Sequence, residues 1–315
     1  MSPAAQPAVR QRPRGPAVDW DRVPAVVAKI RQVPSRLRRF NVTAEEARAR
    51  HQLDASLLSV LLAEGLPSVG AGTDRLFDDY DLGNVALHLG LMSVRRMAIR
   101  SWASALRRTS LGEVTALRVS YHPRCPVPGH PGPCQFGLLT PGGRRLIKDG
   151  PPDGSVPLEQ LAVQVTRTWP QASPRLSELL AEIDAIDFFI LPEAIRWDTE
   201  FMFRAKIADC GAAADWLVTE GRRRGLRSRF AFGLLTVKPY STPHCWPEFF
   251  ADGRWVPHDP LILGAMRSWA ALPARDWPVD RSTGSAVVRL GPRFTKVAAH
   301  GGVWSTISLP TEYLP

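Results

Sequence analysis

The feature that most constrains the fold is an Asp-Gly pair between two short runs of aromatic and β-branched residues. Asp252-Gly253 separates residues 243–251 from residues 254–256, and such a pair is typical of a two-residue hairpin turn, where both positions take positive φ. His244 lies at the start of the first predicted strand, and Asp259 follows the second. Because the strands of a hairpin run side by side, we expect His244 and Asp259 to be neighbours.

The segment before this hairpin places a cysteine at the start of a helix. Asp209 is a typical N-cap, and the alanine-rich run that follows Cys210 favours a helix. Free backbone N–H groups and the positive helix end favour the thiolate form of Cys210. A thiol nucleophile needs a base, and the base needs a third group to orient it. Cys210, His244 and Asp259 fill these three roles and predict a catalytic triad.

An acyl-transfer site also needs hydrogen-bond donors for the oxyanion that forms during the reaction. The backbone N–H of Cys210 supplies one donor. For the second donor the sequence leaves open Trp197, an Asn or Gln side chain, or another backbone amide, and Trp197 is the residue that we name.

These residues resemble a known family. The Cys210-Gly211 helix start, the stretch 225–230, the His-x-Trp-x-Glu pattern from His244 and the stretch 252–260 are together similar to the transglutaminase-like superfamily, over about residues 200–262. The resemblance implies a papain-like fold with Cys210 as nucleophile, His244 as base and Asp259 as orienting acid. One departure is local: Cys245 and Pro247 stand where the family usually has Ala and Val.

The predicted fold class is α+β, with a papain/transglutaminase-like core and an N-terminal helical and β accessory region. In the core, a nucleophile helix packs on an antiparallel sheet. We predict a flexible basic arm rich in Pro and Arg over residues 1–40, an accessory α+β region over 41–150 and the catalytic domain over 151–315. Apolar spacing further predicts helices over residues 82–106 and 158–168.

A second cluster of reactive side chains lies upstream. His122, Cys125, His130 and Cys134 place four potential zinc ligands within thirteen positions. Their spacing fits no standard zinc pattern, and the interleaved prolines make a stiff, turning loop a sufficient explanation. We therefore favour a loop over a metal site here and expect no cofactor.

Charge and composition narrow the partners and the location. The chain carries 40 Lys and Arg against 30 Asp and Glu, a net charge of +10. Clustered on one face, this excess would attract an acidic partner such as a carrier protein, whereas an even spread serves only solubility. Aromatic residues do not interleave with the arginines, which argues against nucleic-acid binding. The sequence shows no membrane span and no secretory signal, and its four cysteines are few, so we expect a cytoplasmic protein.

Together these features predict cysteine-dependent acyl transfer through an acyl-enzyme thioester. The substrate is an acyl thioester or an amide, and the acceptor decides the product: an amine gives an amide, and water makes the protein a peptidase or amidase. We favour amide formation from an acyl thioester. In one form of this hypothesis, the acyl group is bound to a carrier protein. A third alternative is an inactive transglutaminase-like binding protein. The nucleotide-binding, metalloprotease and serine-hydrolase motifs are missing from the sequence.

Overall fold

The computed structural model describes residues 18–127, 129–166, 169–270 and 272–314. Among these residues, no helix combines the length and the apolar character needed to cross a membrane. The α-helices there are α1 (Val23–Arg31), α2 (Ala44–His51), α3 (Ala55–Ala63), α4 (Asp79–His88), α5 (Val94–Ser110), α6 (Pro174–Ala181), α7 (Thr199–Ala205), α8 (Cys210–Arg223) and α9 (Pro260–Ala270).

The strands are mostly antiparallel, so the α+β class is confirmed. They are β1 (Phe40–Val42), β2 (Phe77–Asp78), β3 (Ala116–Pro123), β4 (Cys134–Thr140), β5 (Arg144–Gly150), β6 (Glu159–Gln164), β7 (Asp187–Phe188), β8 (Ile207–Ala208), β9 (Ser228–Leu235), β10 (Thr242–Ala251), β11 (Arg254–Pro257), β12 (Val287–Gly291), β13 (Ala298–His300), β14 (Val303–Trp304), β15 (Ile307–Ser308) and β16 (Thr311–Leu314).

One four-stranded sheet, in the order β11-β10-β9-β12, carries the chemistry predicted from sequence. Strands β10 and β11 form the expected hairpin, with Ala251 paired to Arg254. Asp252 and Gly253 both have positive φ, as a tight hairpin turn requires. Helix α8 packs on β9 and β10 through a buried face that begins at Gly211. The small residues at the start of α8 let the helix lie close to the sheet, which brings Cys210 near β10.

The predicted basic arm is partly wrong. Residues 23–31 form helix α1, whose valines and Ile30 pack into a core with Leu61 and Phe77. Pro24 is compatible with this helix because it lies in the first turn, where a missing N–H costs no hydrogen bond. Residues 1–17 of the predicted arm lie outside the described residues.

Two predicted helices also differ from the structure. The helix predicted over 82–106 is divided into α4 and α5, because Gly90 takes positive φ and Ser93 caps a new helix. The helix predicted over 158–168 is instead β6 over its first part, paired along β3. Leu161 and Val163 are two residues apart, so the short apolar run also fits a strand, and pairing with β3 decided between the two.

Hydrogen-bonded strands cross the predicted boundary at residue 150. The last strand, β16, and the short β15 both pair with β3, while β13 pairs with β4. Phe136 and Tyr121 from the upstream strands share one buried core with Phe232 and Leu290 of the site-bearing sheet. The accessory and catalytic regions remain predictions as domains, but their strands form joint sheets.

Gly233 shows how tightly the site-bearing sheet is packed. It lies opposite His244 in the register of β9 and β10, and a Cβ at this position would lie 1.9 Å from the carbonyl oxygen of Val288 and 2.8 Å from the ring of Trp246. Neither the backbone of Val288 nor the buried ring of Trp246 has space to move away, so only glycine fits here.

We expect Gly233→Ala to lower the free energy of unfolding by at least about 2 kcal/mol, because it forces β12 and Trp246 apart. The matched control is Gly264→Ala in α9, where a Cβ would meet only the end of Arg267 at 3.8 Å. That change should stabilise the protein by about 0.5–1 kcal/mol, as alanine does inside helices. Urea unfolding measures both values, and equal effects of the two substitutions would contradict the packing argument.

Candidate active site

Cys210 is the first residue of α8, and its position is set by the residue before it. The Asp209 side chain caps the helix by accepting a hydrogen bond of 2.9 Å from the backbone N–H of Gly211. Asp209 is buried, whereas Cys210 is partly exposed. The sulfur is therefore at the positive end of the helix and accessible to a substrate, as a nucleophile requires.

His244 and Asp259 form a buried pair beside this sulfur. Asp259 precedes α9 and uses one carboxylate oxygen, Oδ1, to accept from the N–H of Ile262 at 2.9 Å. Its other oxygen is hydrogen bonded to Nε2 of His244. That bond fixes the imidazole ring and leaves Nδ1 for Cys210, which lines the same cavity as His244. The structure thus brings the three residues of the predicted triad together.

The charges of these groups reinforce one another. Hydrogen bonding from Cys245 lowers the pKa of the Cys210 thiol well below its usual value; burial opposes this, and the positive charge of His244 adds to it. Burial alone would lower the pKa of His244, but the negative charges of Cys210 and Asp259 outweigh it and raise that pKa to about 10. The resting pair is a thiolate and an imidazolium, the form in which a cysteine attacks a carbonyl.

Sequence reasoning missed two residues that contact this pair. Cys245 is buried and lines the same cavity as Cys210, and hydrogen bonding from its thiol and its backbone N–H lowers the pKa of Cys210. Its own pKa is raised, first by that hydrogen bond and then by burial, so it stays a neutral donor. The side chain of a residue next to His244 on one strand would be expected to point away from the site, so no pattern indicated this role.

Arg196 is the second missed residue. Its Nε lies 2.6 Å from Oδ2 of Asp209, which places a positive charge beside the helix cap. Burial and the negative charge of Cys210 raise the pKa of Asp209 to about 8, while Arg196 opposes the shift. Arg196 thus favours the charged form of Asp209, whereas burial and the nearby thiolate favour the protonated form. No sequence signal predicted it, because Arg196 and Asp209 meet only through the fold.

The site opens into a cavity of about 370 Å³. Its walls combine the reactive pair with apolar side chains and two cations: Phe188, Ile190, Arg196, Asp209, Cys210, Gly211, Pro243, His244, Cys245, Phe294, Thr295, Lys296, Val297, Ser305 and Ile307. Two other cavities, of about 530 and 610 Å³, are larger but are lined by neither Cys210 nor His244. The reactive residues that line the cavity, and not its volume, therefore identify the site.

Trp197, named as an oxyanion donor, lies on the helix side of Cys210. Its ring approaches Gly211 so closely that a Cβ there would be 3.0 Å away, and it contacts Phe230 in a tilted arrangement and Phe294 edge to face. These contacts explain the ring as packing that supports the first turn of α8. Its role as an oxyanion donor stays a prediction.

The candidate metal ligands are only partly brought together. Cys125, His130 and Cys134 lie close to one another, and the fourth member of the group is His300 of β13. The ring of His122 instead bonds through Nδ1 to the carbonyl of Gly154 at 3.0 Å. His300 takes the place of the predicted ligand His122 because β13 pairs with β4. This pairing joins residues that are far apart in the sequence.

The thiolate pair makes a prediction about alkylation. We expect iodoacetamide to modify Cys210 at a nearly constant rate from neutral pH to about pH 9, since the thiolate persists above its own lowered pKa and its imidazolium partner persists up to the His244 pKa of about 10. In His244→Ala the rate should instead rise with pH through this range, because the thiolate loses the positive charge that helps to lower its pKa. Peptide mass mapping measures the modification at each cysteine, and a wild-type rate that climbs about tenfold per pH unit through this range would contradict the ion pair.

Comparisons with known proteins gave one family-model match and a structural match. The family model described as the transglutaminase-like superfamily matches residues 192–260, which contain Arg196, Cys210, His244 and Asp259. No curated protein matches the chain. A solved structure of a candidate cysteine protease from Cytophaga hutchinsonii is similar at 10% identity and a TM-score of 0.33, covering 64% of this chain and 91% of that one. Residues 192–260 are thus similar to the transglutaminase-like superfamily.

Proposed function

We propose that the protein is a cysteine acyltransferase that forms an amide from an acyl thioester and an amine. The observation that carries the proposal is that Cys210 and His244 line one cavity and that His244 is hydrogen bonded to the buried Asp259. Such a triad attacks an acyl carbonyl and holds the acyl group on sulfur. The transglutaminase-like match supports cysteine chemistry in general.

In the first half-reaction, the Cys210 thiolate attacks the carbonyl carbon of the donor thioester. The bond to the donor sulfur breaks, and that sulfur leaves with the proton of the His244 imidazolium. In the second half-reaction, the amine nitrogen attacks the acyl-enzyme and gives its proton to His244, while Cys210 leaves as thiolate. Asp259 holds the ring of His244 in one orientation through both steps. The protein ends in its starting state.

The walls of the cavity support an amine rather than water as the acceptor. Phe294, Val297 and Ile307 line the space in front of the thiol, and apolar walls limit the access of water to a reactive thioester. A volume of about 370 Å³ suits a small acyl group with its acceptor better than an extended peptide. Hydrolysis is the competing outcome, because the same triad can activate water.

The charge at the cavity supports an anionic donor. Arg196 and Lys296 both line it, and the Lys296 ammonium lies 4.1 Å from the centre of the Trp304 ring, which helps to hold it in place. With a net charge of +10, the chain suits an acyl group carried on an acidic protein or on a phosphate-bearing arm. The carrier, like the cytoplasmic location, is part of the proposal.

The test is an assay of products with two acceptors. Purified protein is mixed with a series of acyl-pantetheine thioesters, with and without a panel of primary amines, and the products are identified by mass spectrometry. We expect amide to form in excess over free acid when amine is present, at a rate that Cys210→Ala lowers by at least about 10³-fold.

Lys148→Ala is the matched control, since this lysine lies on β5 and pairs with Glu159, and its rate should equal that of wild type. Free acid as the sole product, at a rate that amines do not change, would replace the transferase with a hydrolase. Equal background rates for wild type and Cys210→Ala across all donors would favour the inactive binding protein.

A further inference from the structure

A second cluster of reactive side chains lies apart from the triad, at the start of β4. One ligand atom each from Cys125, His130, Cys134 and His300 lies within 4.8 Å of every other. Nε2 of His130 is 3.1 Å from the sulfur of Cys134, and the rings of His130 and His300 are 4.6 Å apart. Two thiols and two imidazoles, converging from three segments of the chain, form the donor set of a common zinc site.

The hydrogen bonds of His130 and His300 to backbone carbonyls leave Nε2 of each ring able to bind a metal ion. Nδ1 of His300 bonds to the carbonyl of Gln135 at 2.9 Å, and Nδ1 of His130 bonds to the carbonyl of Pro131 at 3.1 Å. A carbonyl can only accept, so each Nδ1 carries the proton and each Nε2 keeps a lone pair. Fixing the ring through one nitrogen while the other binds metal is the usual arrangement around metal-bound histidine.

The spacing of the four atoms suits a tetrahedral ion. Bond lengths of about 2.0–2.3 Å set the ligand atoms of tetrahedral zinc about 3.3–3.8 Å apart. In the structure, the four ligand atoms lie within 4.8 Å of one another. A small inward movement of the loop that carries Cys125 and His130 would bring them to the zinc distances. Cys134 is buried and the other three are partly exposed, so an ion can enter from the loop side.

We propose that Cys125, His130, Cys134 and His300 bind one Zn²⁺ as a closed, four-ligand structural site. Binding forms two zinc–sulfur and two zinc–nitrogen bonds, and the two thiols release their protons to solvent. Four protein ligands leave no position for substrate or water, so the site does not take part in the reaction at Cys210.

The zinc site supports one wall of the active-site cavity. His300 ends β13, which pairs with β14 in a short hairpin. Val297 before this hairpin and Ser305 after it line the cavity in front of Cys210. Zinc therefore fastens the hairpin to β4 and to the loop before it, and its loss would loosen the wall without altering the triad.

The test measures metal content in the Cys210→Ala background, so that the nucleophile cannot bind metal and activity is not needed. We expect one zinc per chain in the purified full-length protein after exhaustive dialysis. His300→Ala and Cys125→Ser should each lose it, whereas His122→Ala should keep it. His122 is the matched control because it lies in the same region but outside the cluster.

Cobalt substitution provides a second readout that does not depend on a variant folding. Co²⁺ bound to the zinc-free protein should give the intense visible bands of a tetrahedral ion and a near-ultraviolet band from thiolate bonds. Zinc far below one per chain, together with no such bands, would overturn the site. A disulfide between Cys125 and Cys134 that persists in protein purified with a reductant would overturn it as well. Equal zinc in the His300→Ala variant would overturn the assignment of His300.

Discussion

The attraction between a cysteine thiolate and a histidine imidazolium organises this protein. Neither charge would form alone at this site, because burial disfavours a lone charge. Together they stabilise each other: the pKa of Cys210 falls well below its usual value, and that of His244 rises to about 10. The surrounding residues act on this pair, with Asp259 behind the imidazole and Cys245 donating to the sulfur. Removing either member of the pair would therefore shift the pKa of the other back toward its ordinary value.

The scaffold explains how the pair stays in place. His244 lies on a strand whose neighbour carries Gly233, and only glycine permits the close approach of Trp246 and β12 there. Cys210 is held by the cap of α8, where the Asp209 carboxyl accepts from the N–H of Gly211 and contacts Arg196. Asp259 is fixed because its second oxygen caps the first turn of α9. Each member of the triad therefore has its own independent support, from a strand, a helix start and a second helix start.

The sequence predicted the parts of the site whose signals are local. Asp252-Gly253 predicted the hairpin, and Asp209 before an alanine run predicted the start of α8. Contacts between distant segments were not predictable, because they depend on how sheets assemble. His300 replaced His122 in the cysteine and histidine cluster through the pairing of β13 with β4. Arg196 reaches the site only through the fold, and pairing with β3 made β6 a strand where apolar spacing had indicated a helix.

The central claim is that Cys210 carries the acyl group, and intact-mass measurement tests it most directly. Wild-type protein and Cys210→Ala are each mixed with an acyl thioester and quenched with acid within seconds, and their intact masses are measured by mass spectrometry. The account predicts that wild type gains the mass of one acyl group, released by added hydroxylamine, and that Cys210→Ala gains none. Equal acylation of both proteins, or an acyl group mapped to another cysteine, would contradict the account.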